Sequence, residues 1–400
     1  MSVNGAPETG SLYYRILIAS FAAYCIANIA GWILPDLIHE FVSVKHLSES
    51  QAGLVGTVEL AALALSSMLL ARFMKRTSFL VISLVGTVVA IIATALSIIA
   101  HDHGLILLLR GITGMGEGAA LMVSSAALAR FRDPDRAYGQ MNVVNIVFGA
   151  GLIFLLPAIA RYVGPNVAFP TLLVGLLILT PFLLIMPRNL ALDMAASADR
   201  NVPVRHHDLS PRLYLLAATM FIVALNSSAV WSFLVLLGTR AGLDETAATT
   251  TVGIVAFISV TGSLLATILG VRFGRLWPTV TGIVSMTGCI AILCTQTDLL
   301  LFRICACLLV ASVYFIIPYF MGYAAAEDSS GRGAALVGGA FLLTVAVSPY
   351  TAGLIIEHFG MEAIATAAIV TNAVALAALL WFDRDLKRRP PADLAAAPQT

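Results

Sequence analysis

The chain has 400 residues, 59% hydrophobic and only 11% charged, with a mean hydropathy of +0.93. Average soluble domains carry about a quarter of their residues as Asp, Glu, Lys or Arg, so this composition excludes a surface made for water and leaves lipid as the solvent. The formal net charge of +1 comes with no basic stripe, which excludes nucleic acid as a partner.

Met1 to Gly10 is polar and lacks the charged start and cleavage site of a signal peptide, so the first apolar run is expected to stay as a span. A span needs roughly 20 mostly apolar residues to cross about 30 Å of hydrocarbon. Twelve such runs are predicted, over 13–36, 52–72, 78–100, 104–130, 138–160, 167–187, 212–238, 247–271, 276–296, 299–324, 334–356 and 362–382. The stretch from Arg188 to Arg212, with Pro203, His206, His207, Asp208 and Pro211, is the one long polar interruption. The chain therefore divides into a six-helix bundle over 1–190, a linker over 191–211, a second bundle over 212–383 and a tail over 384–400. The expected class is an all-α membrane protein of twelve transmembrane helices in two pseudo-symmetric bundles. Cys25, Cys289, Cys294, Cys305 and Cys307 all fall inside apolar runs, where packing is their expected role. His101-Asp102-His103 reads as a solvated turn.

Basic residues cluster in alternate loops: Arg72, Lys75 and Arg76; Arg130, Arg132 and Arg136; Arg188, Arg200, Arg205 and Arg212; Arg384, Lys387, Arg388 and Arg389. The positive-inside rule then puts both termini in the cytoplasm of a multi-pass cell (inner) membrane protein.

The halves repeat at offsets near 200. Leu69-Leu70-Ala71-Arg72-Phe73-Met74-Lys75 recurs as Leu269-Gly270-Val271-Arg272-Phe273-Gly274-Arg275. Leu47-Ser48-Glu49-Ser50 recurs as Leu243-Asp244-Glu245-Thr246, Arg110 matches Arg303, and Pro157 matches Pro349. Duplicated halves related by an axis along the membrane normal are a recognised transporter architecture.

On these features the sequence resembles the major facilitator superfamily from Tyr13 to Phe382. The family's loop signature, Gly-x-x-x-Asp-Arg-x-Gly-Arg-Lys, appears at Ser67 to Arg76 with Ala71 and Met74 at the Asp and Gly positions. The second copy keeps Arg272, Gly274 and Arg275 with Val271 at the acid position. The resemblance implies a cytoplasmic gate at Arg72, Lys75, Arg76, Arg272 and Arg275. Arg110-Gly111-Ile112-Thr113-Gly114-Met115-Gly116-Glu117-Gly118 is most similar to the organic-anion branch, where the Arg is implied in substrate binding and the Glu in proton coupling. That branch's Asp-Arg pair in span 1 has no counterpart in Tyr24 to Trp32, and the drug antiporters' Gly-Pro-x-x-Gly-Gly is absent at Gly149-Ala150-Gly151. The family also implies that spans 1, 4, 7 and 10 line a central cavity.

Ionisable groups at a helix centre cost about 2.5–3.5 kcal/mol in the membrane and are usually functional. The clear candidates inside the runs are Glu59, Arg110, Glu117 and Arg303. A carboxyl in a low-dielectric cavity can exchange a proton near neutral pH, which makes Glu117, assisted or replaced by Glu59, the expected proton-coupling site. Arg110 and Glu117, seven apart, share a helix face about 10 Å apart along the axis. Arg110 is then an anion anchor or the partner of Glu117, and Arg303 either snorkels or touches substrate. Asn28 and Trp32 are mirrored by Asn226 and Trp231; with Asn145 and Tyr314 they complete the expected substrate-binding set.

No Gly-x-x-x-x-Gly-Lys-Ser/Thr loop occurs, which removes ATP as the energy source through this chain. A membrane-embedded enzyme would need convergent His, Asp, Cys or Ser groups, and no His or Asp falls well inside the predicted spans. The expected function is proton-coupled secondary transport of a small organic solute by a monomer, with no cofactor or metal, leaning to uptake of an organic acid. Proton-driven efflux of lipophilic compounds is the alternative.

Overall fold

Hydrocarbon offers the backbone no hydrogen bonds, so a spanning chain must satisfy its own N–H and C=O groups locally. In the computed structural model, which describes residues 11–70, 78–128, 134–164, 166–187, 210–328 and 332–387, the regular structure is accordingly all helical. The helices are α1 (Ser11–Ser43), α2 (Glu49–Leu70), α3 (Phe79–Ile99), α4 (His103–Leu128), α5 (Pro134–Val163), α6 (Ala168–Leu183), α7 (Pro211–Ser232), α8 (Leu234–Arg240), α9 (Glu245–Leu269), α10 (Leu276–Thr295), α11 (Leu299–Glu327), α12 (Arg332–Phe359) and α13 (Glu362–Lys387).

Eleven of them are long and apolar enough to cross a membrane, and α6, at 16 residues, is the short twelfth. Two boundaries depart from expectation. The first span does not stop at Asp36: α1 runs to Ser43 with Pro35 inside it, 33 residues or about 50 Å at about 1.5 Å each. The seventh is broken at Phe233, whose N–H bonds to Val230 O, and the short α8 carries the chain on. Arg72, Lys75, Arg76, Arg130, Arg132 and nearly all of the linker and tail lie outside the described residues.

Helices α1–α6 pack chiefly on one another, through α2–α4, α3–α4, α1–α4 and α1–α6. Helices α7–α13 do the same through α7–α12, α9–α11, α10–α11 and α10–α13. The two sets meet at α2–α12, at α5–α9, and where α1 touches α7 and α8.

Among the described residues the seam is joined at one end, where α1 turns into α2 and α12 into α13. There Ser50 N–H donates to Glu357 Oε2 (3.3 Å) and Tyr350 N–H to Thr57 Oγ1 (3.1 Å). Gly253 of α9 sits against Ile153 and Phe154 of α5. At the opposite end the ion pairs stay within one set, as in Arg212 Nε with Asp385 Oδ2 (2.9 Å). The α2–α12 approach depends on missing side chains: a Cβ on Gly53 would strike Pro349 O, and one on Gly353 would strike Glu49 O.

Gly53→Leu and Gly353→Leu are therefore each expected to wedge the joined end apart. Spin labels at the exposed Gln51 and His358 would then report a longer distance in either variant. An unchanged distance would show that this end does not depend on backbone contact.

Candidate proton and substrate site

The densest buried polar cluster is built around Arg110. Gly114 lets α4 lie against the Glu59 carbonyl of α2, leaving no room for a Cβ, and this brings the Glu59 side chain within reach. Arg110 Nη1 donates to Glu59 Oε1 at 2.8 Å. Its Nη2 donates to Thr94 Oγ1 (3.0 Å) and Ser97 Oγ (3.3 Å) of α3 and to Thr113 Oγ1 (2.9 Å) of α4. The guanidinium carbon lies 4.9 Å from the Phe169 ring centre of α6, a cation–π contact. Arg110 is 0% exposed and Glu59 1%. Four helices of the first set are thus tied through one guanidinium.

Glu117 is equally buried, and neither of its carboxyl oxygens has a hydrogen-bond partner. Of the two roles expected for Arg110, anion anchor or partner of Glu117, neither is the contact seen: its hydrogen-bonded acid is Glu59. Two acids therefore share one guanidinium, and ionising both leaves one negative charge without a counter-charge. Ser124, about two turns further along α4, donates to Ser20 O of α1 (2.9 Å).

The other expected residues fall into separate places. Trp32 and Trp231 meet edge-to-face across the seam, 6.1 Å between ring centres, with Trp32 seated against Gly149. Pro35 has no N–H, so the Gly31 carbonyl four residues earlier loses its helical donor. Trp231 Nε1 of the other set donates to that carbonyl at 3.1 Å. Near this contact Asn28 Nδ2 donates to Tyr24 O (2.8 Å), and Tyr24 Oη contacts Asn142 Oδ1 at 3.5 Å. Asn145 is buried with its Oδ1 unpartnered, and Tyr314 is half-buried. Asn226 turns away from the seam: its amide donates to Thr371 Oγ1 (2.9 Å) and Asn372 Oδ1 (2.8 Å) of α13. Arg303 is exposed on the outer face of α11, apart from these groups. Arg272 is exposed in the turn after α9, and the Arg275 side chain lies along Gly322 of α11.

Residues 16–214 and 216–399 match the model of the Major Facilitator Superfamily. The chain belongs to that superfamily. It is 23% identical over 226 residues to the multidrug resistance protein MdtL of Vibrio parahaemolyticus serotype O3:K6 (strain RIMD 2210633), a match covering 55% of this chain and 56% of that one. The chain thus spans about half the length of the curated relative it matches. Two solved structures share the fold. One is a bacterial homologue of the human lysosomal transporter Spinster, in an inward-facing, occupied conformation, with TM-score 0.72, 16% identity, and 96% and 100% of the two chains covered. The other is a D-xylose-proton symporter, with TM-score 0.69, 16% identity, and 93% and 97% covered.

Sequence reasoning missed a cluster in this protein because it ended the first span too soon. Asp36, His39 and Glu40, at i, i+3 and i+4, share the extra length of α1 and are buried. Asp36 and His39 therefore lie within a membrane helix, contrary to the expectation that no such residue does. Thr249 Oγ1 of α9 donates to Asp36 Oδ1 (2.5 Å), and His39 Nε2 lies 3.4 Å from Glu245 Oε1. Both contacts cross the seam at its joined end. Glu40 Oε2 accepts from Ala168 N–H (2.8 Å), supplying the N-terminus of α6 with the acceptor that its cap residue Val167 lacks. Lys45 lies over the Phe41 and Phe169 rings; burial pushes its ammonium below the usual lysine range, and Glu40 opposes that shift. The 36–39–40 spacing was the available signal.

Removing one partner of a buried ion pair costs about 3–5 kcal/mol, because the other charge is stranded. Glu59→Ala is expected to lower the melting temperature of the purified protein sharply, and Glu59→Leu with Arg110→Leu to recover most of the loss. A melt of Glu59→Ala that matches wild type would remove the cluster's structural role. Trp231→Phe keeps the ring but orphans the Gly31 carbonyl, a penalty of about 1–3 kcal/mol. Pro35→Ala restores a local donor, so the double variant should melt above Trp231→Phe alone.

Proposed function

We propose that this chain is a proton-coupled secondary transporter of a small uncharged or lipophilic organic solute, working by alternating access. One observation carries the proposal: Glu117 is buried without a hydrogen-bond partner beside a Glu59–Arg110 pair that can neutralise only one acid. A proton on one carboxyl balances the cluster in low dielectric. Its loss leaves two carboxylates competing for Arg110, and that competition can drive helix movement. Glu117 and Glu59 are the proton-coupling residues in this reading.

The solute side rests on the seam. Tyr24, Asn28, Trp32, Asn145, Trp231 and Tyr314 offer rings and amides, a surface suited to an amphipathic molecule. Arg110 is fully buried and paired inside the first set, which supports a solute that needs no anion anchor. Similarity to a multidrug resistance protein supports efflux by antiport. Uptake by symport is the second reading, favoured by the resemblance of Arg110 to Gly118 to a symporter branch.

In this proposal 1–190 and 212–383 are the two moving halves, joined by 191–211, with 384–400 as a tail. Both termini face the cytoplasm of the cell (inner) membrane, and the transporter works as a monomer. The joined end is then the outer one, held by Asp36–Thr249 and the α2–α12 contact, and the solute path opens inward. Arg72, Lys75, Arg76, Arg272 and Arg275 belong to the cytoplasmic gate that closes as the outer end opens.

The test uses proteoliposomes with an imposed pH gradient and a panel of cationic dyes, neutral amphiphiles and organic acids. For one proton per solute, each pH unit supports about a tenfold concentration ratio. Wild type should build such a ratio for a dye or neutral compound, outward or inward according to the sign of coupling. Glu117→Gln should only equilibrate it. A gradient dependence that survives Glu117→Gln would sink the coupling site, and gradient-driven transport of organic acids alone would overturn the solute class.

A further inference from the structure

Arg303 occupies the place in the second half that Arg110 occupies in the first, yet its surroundings are reversed. Arg110 is enclosed and has Glu59; Arg303 is exposed and forms no hydrogen bond or ion pair with any described residue. On α9 and α11 the acids stand only at helix ends: Glu245 begins α9 and faces His39, and Glu327 ends α11. Residues 246–269 of α9, all of α10, and α11 up to Glu327 contain neither Asp nor Glu. Asp298, five residues before Arg303, points about 140° away round the helix. Its carboxylate caps α11 by accepting from Leu301 N–H at 2.8 Å.

Beside Arg303 a groove of about 520 Å³ runs between α9 and α11. Its walls are Ile258 and Thr261 of α9 and Ile304, Cys307, Leu308 and Ala311 of α11. The groove opens on the outside of the bundle. The large side chains flanking it, among them Phe257, Leu265, Leu300 and Leu308, are exposed although strongly apolar. That surface faces hydrocarbon. Arg303 stands four residues into α11, about 6 Å below the start of the helix, within reach of the headgroup region for a snorkelling side chain. Ala311 lies about 12 Å deeper.

From this juxtaposition we infer that the α9–α11 groove is a binding site for an anionic phospholipid, with the phosphate on Arg303 and one acyl chain along the groove. A fixed cation at the rim and an apolar trench beneath it match the two parts of such a lipid. The trench faces no water that could fill it, and the described residues provide no anion for the cation. The lipid comes from the leaflet at the joined end of the bundle. It bridges α9, which carries the seam residues Thr249 and Gly253, to α11, so its retention bears on how the two helices move together.

The experiment is native mass spectrometry of the detergent-purified protein titrated with phosphatidylglycerol or phosphatidylcholine, with melting temperature as a second readout. One basic side chain near a membrane surface adds about fivefold in affinity for an anionic lipid. Wild type should retain phosphatidylglycerol about fivefold better than phosphatidylcholine. Arg303→Gln should abolish that preference, and Arg303→Lys should keep part of it, which separates charge from fold. Ala311→Phe, filling the trench, should weaken both lipids, and glycerol phosphate alone should neither bind nor stabilise. A preference untouched by Arg303→Gln, or retention untouched by Ala311→Phe, overturns the site. So does loss of transport in Arg303→Gln with lipid retention intact, which would assign the groove to the solute's path.

Discussion

A polar group placed in hydrocarbon finds no water, so each one must be satisfied by another part of the chain or stand exposed as chemistry. Both terminal nitrogens of Arg110 are met, by Glu59, two threonines and a serine, and a phenylalanine ring covers the guanidinium, so that four helices join there; its Nε alone has no partner. The Gly31 carbonyl freed by Pro35 is satisfied by a tryptophan from the other half. Glu117 is not satisfied at all. The same rule that knits the bundle together therefore marks Glu117, both of whose carboxyl oxygens lack a partner, as a group whose charge the bundle does not compensate.

The lengths of the apolar runs made twelve crossings legible, since each run had to cover the same thickness of hydrocarbon. Local signals failed where tertiary partners override them. Pro35 and Asp36 look like the end of a helix, and the charges that follow look like a turn in water. In the folded chain Thr249, Glu245 and the N-terminus of α6 meet those charges, so the helix continues. The break at Phe233 has no Gly or Pro to announce it. The pairing of Arg110 could not be read from seven-residue spacing either. A glycine at 114 lets another helix approach so closely that Glu59 arrives first. Asn226 matched Asn28 in register, but its amide is spent within its own half.

The halves repeat a scaffold and divide the chemistry. The arginine in the fourth span of the first half has an acid on the adjacent α2, and the pair is sealed. Its counterpart has no acid on α9 beyond the terminal Glu245, which faces His39, so burial would strand a charge, and the side chain stands at the lipid surface instead. A single missing carboxylate thus turns a structural node in one half into a peripheral basic group in the other. In the proposed function the first half holds the proton site, while the second presents Trp231 and Tyr314 to the seam.

Helix α2 connects the two activities. Glu59 sits on its face toward α4, and Gly53 and Thr57 sit on its face toward α12, at the joined end. Gly53 and Glu59 are six residues apart, about 9 Å along a helix that contains no proline or other break. A rigid element with contacts at both places cannot change one without loading the other. If Arg110 leaves Glu59 for an ionised Glu117, α2 loses its strongest tie to the first half while keeping backbone-close contact with α12. The balance between those two attachments, one electrostatic and one steric, is where proton occupancy can be converted into opening of the seam.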